Sequence, residues 1–279
     1  MTGARVVVAQ LTDTHIRPPG RLAYGLVDTA GHLEAAIALL ANPPAPIDAV
    51  IVTGDLVDFG TDEEYAHFRH LMAPLSLPIH PIPGNHDERE AFRRAFADRA
   101  DLPSAGPLSY VAEAGPLRLI LLDSTVPGRP HGQMTPETLA WLDGVLAQEA
   151  SRPALVALHH PPFATGIRHM DLQNCFGAEG LEEVLRRHPQ VLATVCGHIH
   201  RTVLTTFAGR AAAIGPSPAH AVSLDLRPAG PPSFTMEPPA LLLHVWDAAV
   251  PGRVATHWLP VGHFSGPHPF FDAEGRFIE

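Results

Sequence analysis

The sequence predicts an α/β layered fold, with helices packed on the faces of sheets. Three features carry that expectation. Short apolar runs alternate with helical patterns through the first two thirds of the 279-residue chain. The strand-like runs, such as Val-Val-Val-Ala and Ala-Val-Ile-Val, are continuously apolar, as strands covered on both faces are. The apolar fraction, 46%, is enough for a sizeable core in one large domain, or in one domain with a smaller addition.

Residues 5–11 read as the first strand. The apolar run there is too short for a secretory leader and lacks a small-residue cleavage site. Residues 29–40 follow as a helix, with small and apolar residues at helical spacing. A strand at 49–52, a helix at 62–72, a short strand at 79–82 and a helix at 88–96 continue the alternation. Residues 108–111 and 117–122 read as paired strands. The helix at 136–150 opens on proline, which suits a first turn because that position has no N–H to satisfy. A strand at 154–158, a helix at 178–187 and a strand at 191–196 complete the series. Beyond residue 215 the pattern changes. Residues 216–239 are rich in Pro, Gly, Ser and Ala, 241–246 and 254–258 read as two more strands, and the tail is dense in His, Pro, Gly and Phe. The expected organisation is a main domain over 1–215 and a C-terminal cap or oligomer-contact region over 216–279, giving a homo-oligomer, dimer or higher.

Charge and composition exclude several partners. A formal net charge of −10 lacks the basic footprint needed to track a nucleic-acid polymer, and it disfavours an anionic membrane surface. A small anionic substrate stays possible where metal ions supply local positive charge. No run of about 18 apolar residues exists to cross a bilayer. Cys175 and Cys196 form neither a disulfide framework nor a CxxC pair. The expected location is cytoplasmic. Histidine is abundant, with 18 residues, and it is the commonest metal ligand, so a cluster is worth seeking.

Five strand ends carry polar residues. They read Asp13-Thr14-His15, Gly54-Asp55-Leu56-Val57-Asp58, Gly84-Asn85-His86-Asp87, His159-His160-Pro161-Pro162 and Gly197-His198-Ile199-His200. Ligands of open α/β sheets bind at the carboxyl ends of strands. Residues two apart on extended backbone share a side, so Asp13 with His15 could hold one ion, and His198 with His200 could reach two. The glycines before Asp55, Asn85 and His198 allow a tight backbone path. Mixed Asp, Asn and His ligands suit Zn, Mn or Fe. A lone Asp after a strand is usually a helix N-cap, but capping does not call for histidines at one strand end after another. His160 reads as a packing or hydrogen-bonding neighbour, Asp58 as a residue that orients a ligand or caps a helix, and Asp87 as an N-cap or a supporting partner.

The set DTH, GDLVD, GNHD, HHPP and GHIH resembles the calcineurin-like metallophosphoesterase superfamily. The stretches PGRLAYGLVDT, GIRHMD and PSPAHAV make it more similar to the class III cyclic-nucleotide and glycerophosphodiester phosphodiesterase group. The resemblance covers nearly the whole chain. It implies a four-layer α/β/β/α sandwich with a small C-terminal cap or oligomerisation region, and two divalent or mixed-valence ions (Mn, Fe or Zn). One ion would be held by Asp13, His15 and His200, the other by Asn85, His159 and His198, with Asp55 bridging both. It also implies His86 and His220 as catalytic groups: His86 as proton donor or phosphate contact, His220 as a phosphate contact from the cap side. The activity implied is hydrolysis of a small phosphodiester by a metal-acidified hydroxide, with a glycerophosphodiester as first substrate and a 3′,5′-cyclic nucleotide next. GDLVDFG and GNHDE depart from the GDxxDRG and GNHE of protein serine/threonine phosphatases. A broad phosphomonoesterase and diesterase activity, and a metal-free protein-binding scaffold of the same fold, are the alternatives. The scaffold is disfavoured because all seven ligand positions keep competent residue types.

Overall fold

Successive side chains of a strand turn to opposite faces, and the first strand, β1 (Arg5–Leu11), sorts its residues accordingly. Val7, Ala9 and Leu11 join one buried cluster, Val6 and Val8 another. This computed structural model describes residues 4–278. After β1 come α1 (Thr29–Ala41), β2 (Ala49–Thr53), α2 (Asp62–Met72), β3 (Ile79–Ile82), α3 (Arg89–Ala95), β4 (Tyr110–Ala114) and β5 (Leu117–Leu122). Then follow β6 (Gly132–Gln133), α4 (Pro136–Gln148), β7 (Ala154–Leu158), α5 (Arg168–Asp171), β8 (Cys175–Phe176), α6 (Ala178–Arg187) and β9 (Val191–Cys196). The last elements are β10 (Val203–Phe207), β11 (Arg210–Ile214), β12 (Ala221–Val222), β13 (Phe234–Thr235), β14 (Ala240–Asp247) and β15 (Val254–Pro260).

Two sheets face each other. One runs β15-β14-β1-β2-β3, the other β10-β11-β9-β7-β5-β4. Val6, Val8, Ile51 and Trp246 of the first meet Leu119, Leu121, Leu155 and Val195 of the second in the central core. Helices α1, α2 and α3 cover the outer face of the first sheet through Leu33, Leu40, Tyr65, Phe68 and Phe92. Helices α4 and α6 cover the second through Leu142, Leu146, Leu181 and Leu185. The result is the expected four-layer α/β/β/α sandwich. Local chemistry sets the helix starts. Thr61 and Glu64 form a reciprocal capping box on α2, and Thr135 caps α4, whose first residue is Pro136.

Two features depart from expectation. The β10–β11 hairpin was not legible, because Val203–Phe207 is largely exposed on the sheet edge and Arg210–Ile214 is mostly alanine. The division at residue 215 is not a division of the sheet. β14 pairs antiparallel with β1 over six residues, from Arg5↔Asp247 to Gln10↔Leu242, and β15 pairs with β14. A buried β1 would otherwise leave a row of N–H and C=O groups unpaired. Part of 216–279 therefore completes the main sheet instead of capping it, while residues of the stretch before β14, such as His220 and Phe234, stand beside the strand ends.

Gln10, wholly buried in an otherwise apolar strand, ties these parts together. Its Nε2 donates to Thr53 Oγ1 and to the carbonyl of Cys196 in the opposite sheet, both at 2.8 Å. Its Oε1 lies 3.0 Å from Nε2 of His244, whose Nδ1 lies 2.9 Å from Thr256 Oγ1. Burial holds His244 down at about 4. Its folded pKa is thus below the ordinary 6.5. The stability this contributes is complete above pH 6.5 and is lost as pH falls toward 4. At pH 5 the loss is about 2 kcal/mol. Urea unfolding of the native chain and of His244→Gln at pH 7 and pH 5 checks this. The native chain should lose about 2 kcal/mol more than the variant between the two pH values. Equal losses would show that His244 is not the group responsible.

Candidate metal centre

The five polar strand ends converge. β1, β2 and β3 are parallel neighbours in one sheet, and β7 and β9 in the other, so their carboxyl ends share one rim of the sandwich. Asp13, His15, Asp55, His159, His198 and His200 are all buried there. Backbone hydrogen bonds lock the loops in register: Asp13 N donates to Gly54 O and His15 N to Asp55 O, each at 3.0 Å. Ser217 bridges to the last strand end, with Oγ donating to Asp13 O at 2.8 Å and N to His200 O at 3.1 Å.

The spacing of two works differently from strand alternation. β1 ends at Leu11 and β9 at Cys196, so both pairs follow the strands. Asp13, His15, Asp55, His198 and His200 all have positive φ, between 44° and 71°. Such conformations cost roughly 1–3 kcal/mol each in non-glycine residues and concentrate at functional sites. Left-handed backbone therefore aims each pair inward.

Donor atoms cluster closely. His15 Nε2 and His200 Nε2 face each other at 3.1 Å, and His200 Nε2 lies 3.4 Å from Asp13 Oδ1. His159 Nε2 lies 3.2 Å from Asn85 Oδ1. Asp55 Oδ2 stands between the two groups, 3.6 Å from His15 Nε2 and 3.3 Å from His159 Nε2. Donors bound about 2.1 Å from one ion stand roughly 3.0–3.4 Å apart, so these separations fit a cation. Facing imidazole nitrogens without one fit poorly, since only one of them can carry the intervening proton. Asp and His side chains are thus positioned to bind a dinuclear site. His198 lines the cavity, and its Nε2 is buried without a hydrogen-bond partner.

Supporting residues fix the donors. Asp58 Oδ1 is 3.1 Å from His15 Nδ1, and His159 Nδ1 donates to Thr53 O at 2.8 Å. Thr12 Oγ1 donates to Asp13 Oδ2 at 2.7 Å. Asp87 is no helix cap; Glu88 caps α3. Asp87 instead accepts from Gly84 N, Leu56 N and the Tyr65 hydroxyl, and burial pushes its pKa to about 7. His160 is buried beside His159 and His198, with Nδ1 2.8 Å from Ser124 Oγ. The centre's electrostatics oppose burial with charge. Burial pushes Asp13 up. Asp55 is held well below the usual carboxylate range because His159, His86 and His15 outweigh burial. Burial lowers His159, but Asp55 and Asp13 raise it to a net value of about 9.

His86 sits at the rim. Its backbone N donates to Asp55 Oδ1 and its Nδ1 donates to Asp58 O, both at 2.8 Å, so Nε2 is left toward the cavity. Its ring meets His15 edge-on at 4.6 Å. His220 packs against His200 at 4.6 Å between ring centres, and against Tyr24 and Phe234 at 5.4 and 5.3 Å. Burial lowers its pKa to about 3, so it is neutral. Seven of the nine predicted residues line one cavity, and the other two, Asp13 and His159, are buried against lining residues His200 and Asn85. Sequence reasoning missed Gln10 as a tie between sheets and Ser217 as a clamp. A buried amide in an apolar strand was the available signal for Gln10.

Comparison with known proteins agrees with this geometry. A family model described as calcineurin-like phosphoesterase matches residues 6–202. A probable glycerophosphodiester phosphodiesterase, GpdQ, of Arcobacter nitrofigilis is 39% identical over 275 residues, covering 98% of this chain and 100% of the relative. A 3′,5′-cyclic adenosine monophosphate phosphodiesterase, CpdA, of Pseudomonas aeruginosa is 34% identical over 201 residues, covering 72% of this chain and 71% of the relative. Among solved structures, a dimetal phosphatase from Danio rerio superposes with a TM-score of 0.64 at 17% identity, over 92% of this chain and 99% of that one, which is a likeness of fold.

Proposed function

The chain belongs to the calcineurin-like phosphoesterase family, and from that premise we propose that it is a metal-dependent hydrolase of small phosphodiesters, with a glycerophosphodiester as its first substrate. The observation that carries this reading is the convergence of carboxylate, amide and imidazole donors from five strand ends around Asp55. Asp13, His15 and His200 would hold one ion, Asn85, His159 and His198 the other, and Asp55 both. Two ions, when bound, neutralise the phosphoryl oxygens and acidify a water. Mn, Fe and Zn all suit the donor set.

The residues around the ions divide the remaining work. His86 Nε2 faces the cavity, and Nδ1 is fixed as a donor to the Asp58 carbonyl. When charged, His86 can therefore hand its Nε2 proton to a leaving alkoxide, and when neutral it can accept a hydrogen bond there. His220, neutral and packed on His200, can hydrogen-bond a phosphoryl oxygen from the opposite wall. The loop at 216–239 and Tyr24 close that side as a small cap over a cavity of about 330 Å³.

Oligomer formation belongs to the same reading. β15 is an edge strand that exposes Trp258, and Phe264, Phe270, Phe271 and Phe277 are exposed in the tail beyond it. Exposed aromatic side chains on and beyond an unpaired edge strand support a homo-oligomer contact there. Among the described residues no helix is long and apolar enough to cross a membrane. Two free, buried cysteines and the acidic balance agree with a cytoplasmic location.

The test is hydrolysis of bis(p-nitrophenyl) phosphate by metal-stripped protein titrated separately with Mn, Zn, Fe and Co. Glycerophosphocholine, 3′,5′-cyclic AMP and p-nitrophenyl phosphate run alongside. Diester cleavage should appear only with metal, saturate near two ions per chain, and favour glycerophosphocholine in kcat/KM. A preference for cyclic AMP would transfer the chain to the cyclic-nucleotide reading. Absence of turnover with every metal would overturn the hydrolase reading in favour of a scaffold.

A further inference from the structure

The cavity has two walls of different chemistry. One is mainly apolar and comes from Tyr24, Val222 and Phe234, with His220 and Ser233 among them. The other comes from the segment after the His159-His160 strand end and presents His169, Met170 and Gln173. That segment is built to hold one shape. Asp171 Oδ1 accepts from Thr165 N at 2.7 Å and from Thr165 Oγ1 at 2.8 Å, and Oδ2 accepts from Gly166 N at 2.9 Å. Asn174 Nδ2 adds a bond to Phe163 O at 2.8 Å. Ile167 and Met170 anchor the segment in the second core. Gln173 N donates to Met170 O at 2.8 Å, and Gln173 Nε2 to His169 O at 3.3 Å. Among the described residues the His169 ring makes no hydrogen bond to protein, and the Gln173 carbonyl oxygen is likewise free.

Charge narrows what this wall can take. The chain contains no lysine, and among the described residues no arginine lines the cavity. An alcohol arm bearing its own negative charge would find no permanent cation there, away from the ions. A neutral arm with hydroxyl groups would find an imidazole and an amide, each able to donate and to accept. The backbone that carries them is set before binding, and Gln173 Nε2 is already held by His169 O, which reduces the ordering cost of recognition.

We propose that His169 and Gln173 bind the hydroxyl groups of a neutral polyol arm of the diester and so determine specificity for glycerol-type esters. This rests on the phosphodiesterase reading above. The test uses two diesters with a common leaving group, glyceryl p-nitrophenyl phosphate and propyl p-nitrophenyl phosphate, which differ only in two hydroxyls. Metal content per chain is measured alongside. The wild-type chain should prefer the glyceryl ester, and His169→Phe and Gln173→Met should each lower that preference about tenfold, chiefly through KM. Leu172→Ala, exposed on the same turn and outside the wall, is the control and should leave the preference as it is. An unchanged preference in both variants, or an equal loss on both esters, would overturn the assignment. Cleavage of neither ester by the metal-loaded wild-type chain would instead remove the phosphodiesterase reading, and this proposal with it.

Discussion

Asp55→Ala is expected to lower kcat on bis(p-nitrophenyl) phosphate roughly a thousandfold or more and to reduce bound metal from about two ions per chain to fewer than one. Among the described residues no other carboxylate stands between both donor groups. Asp55 Oδ2 is 3.6 Å from His15 Nε2 and 3.3 Å from His159 Nε2. Its second oxygen has a separate task, accepting from the backbone N of His86 at 2.8 Å. Truncation therefore removes charge from both donor groups and frees the loop that carries His86. Asp55→Asn separates these effects. The amide oxygen can still accept from His86 N, so the loop stays placed, but the negative charge between the imidazoles is gone. If charge dominates, the asparagine variant should lose nearly as much activity and metal as the alanine variant. If loop placement dominates, it should recover most of both. Near-normal turnover by Asp55→Ala would end the two-ion reading. Metal content by elemental analysis and turnover on the same preparations check all three outcomes.

The layering was legible because the strands are apolar on both faces and alternate with stretches of helical spacing. A continuous run such as Ala49–Thr53 has one physical interpretation in a chain with helices between its strands. The nine candidate residues could be picked out because each follows such a strand or matches a family motif. What was not legible depended on contacts across the sequence. β10 and β11 sit at a sheet edge, where little is buried and the apolar pattern is weak. The place of β14 beside β1 joins residues some 240 positions apart, and no local pattern encodes that pairing. Residue spacing at the centre led, by an incomplete route, to residues that the structure brings together. Asp13 and His15 were expected to share a side as extended backbone does, whereas both adopt left-handed φ beyond the strand. Asp87 was read as an N-cap or a supporting partner, and its three hydrogen bonds settle it as a support for the loops of Asp55 and Asn85.

Gly84→Ala is the second substitution with a large expected effect, and its cause is proximity. The glycines before Asp55, Asn85 and His198 were expected to provide backbone freedom. Gly54 does so, with φ of +95°. Gly84 and Gly197 do not have positive φ; they are glycine because there is no room for a side chain. A Cβ on Gly84 would overlap Asp55 Oδ1 and the Asp55 backbone N, and would lie 2.8 Å from Asp55 Cγ. Backbone cannot rotate aside as a flexible side chain can, so the Asp55 and Asn85 loops must separate. That separation also pulls on the bond from Gly84 N to Asp87 Oδ2, which is 2.8 Å long. Overpacking of this kind costs about 1–3 kcal/mol of stability. A displacement of about 1 Å at a reacting centre costs roughly a hundredfold in rate. Gly84→Ala should therefore lower kcat about a hundredfold and lower Tm, with weakened metal binding in calorimetric titration. Gly144→Ala is the contrast. Gly144 lies inside α4 with nothing within 4 Å of its added Cβ, and alanine there should stabilise the helix by about 0.5–1 kcal/mol with turnover unchanged. If Gly84→Ala behaved like Gly144→Ala, the carboxylate of Asp55 would not need its present position, and the close packing of these two loops would have no part in the chemistry.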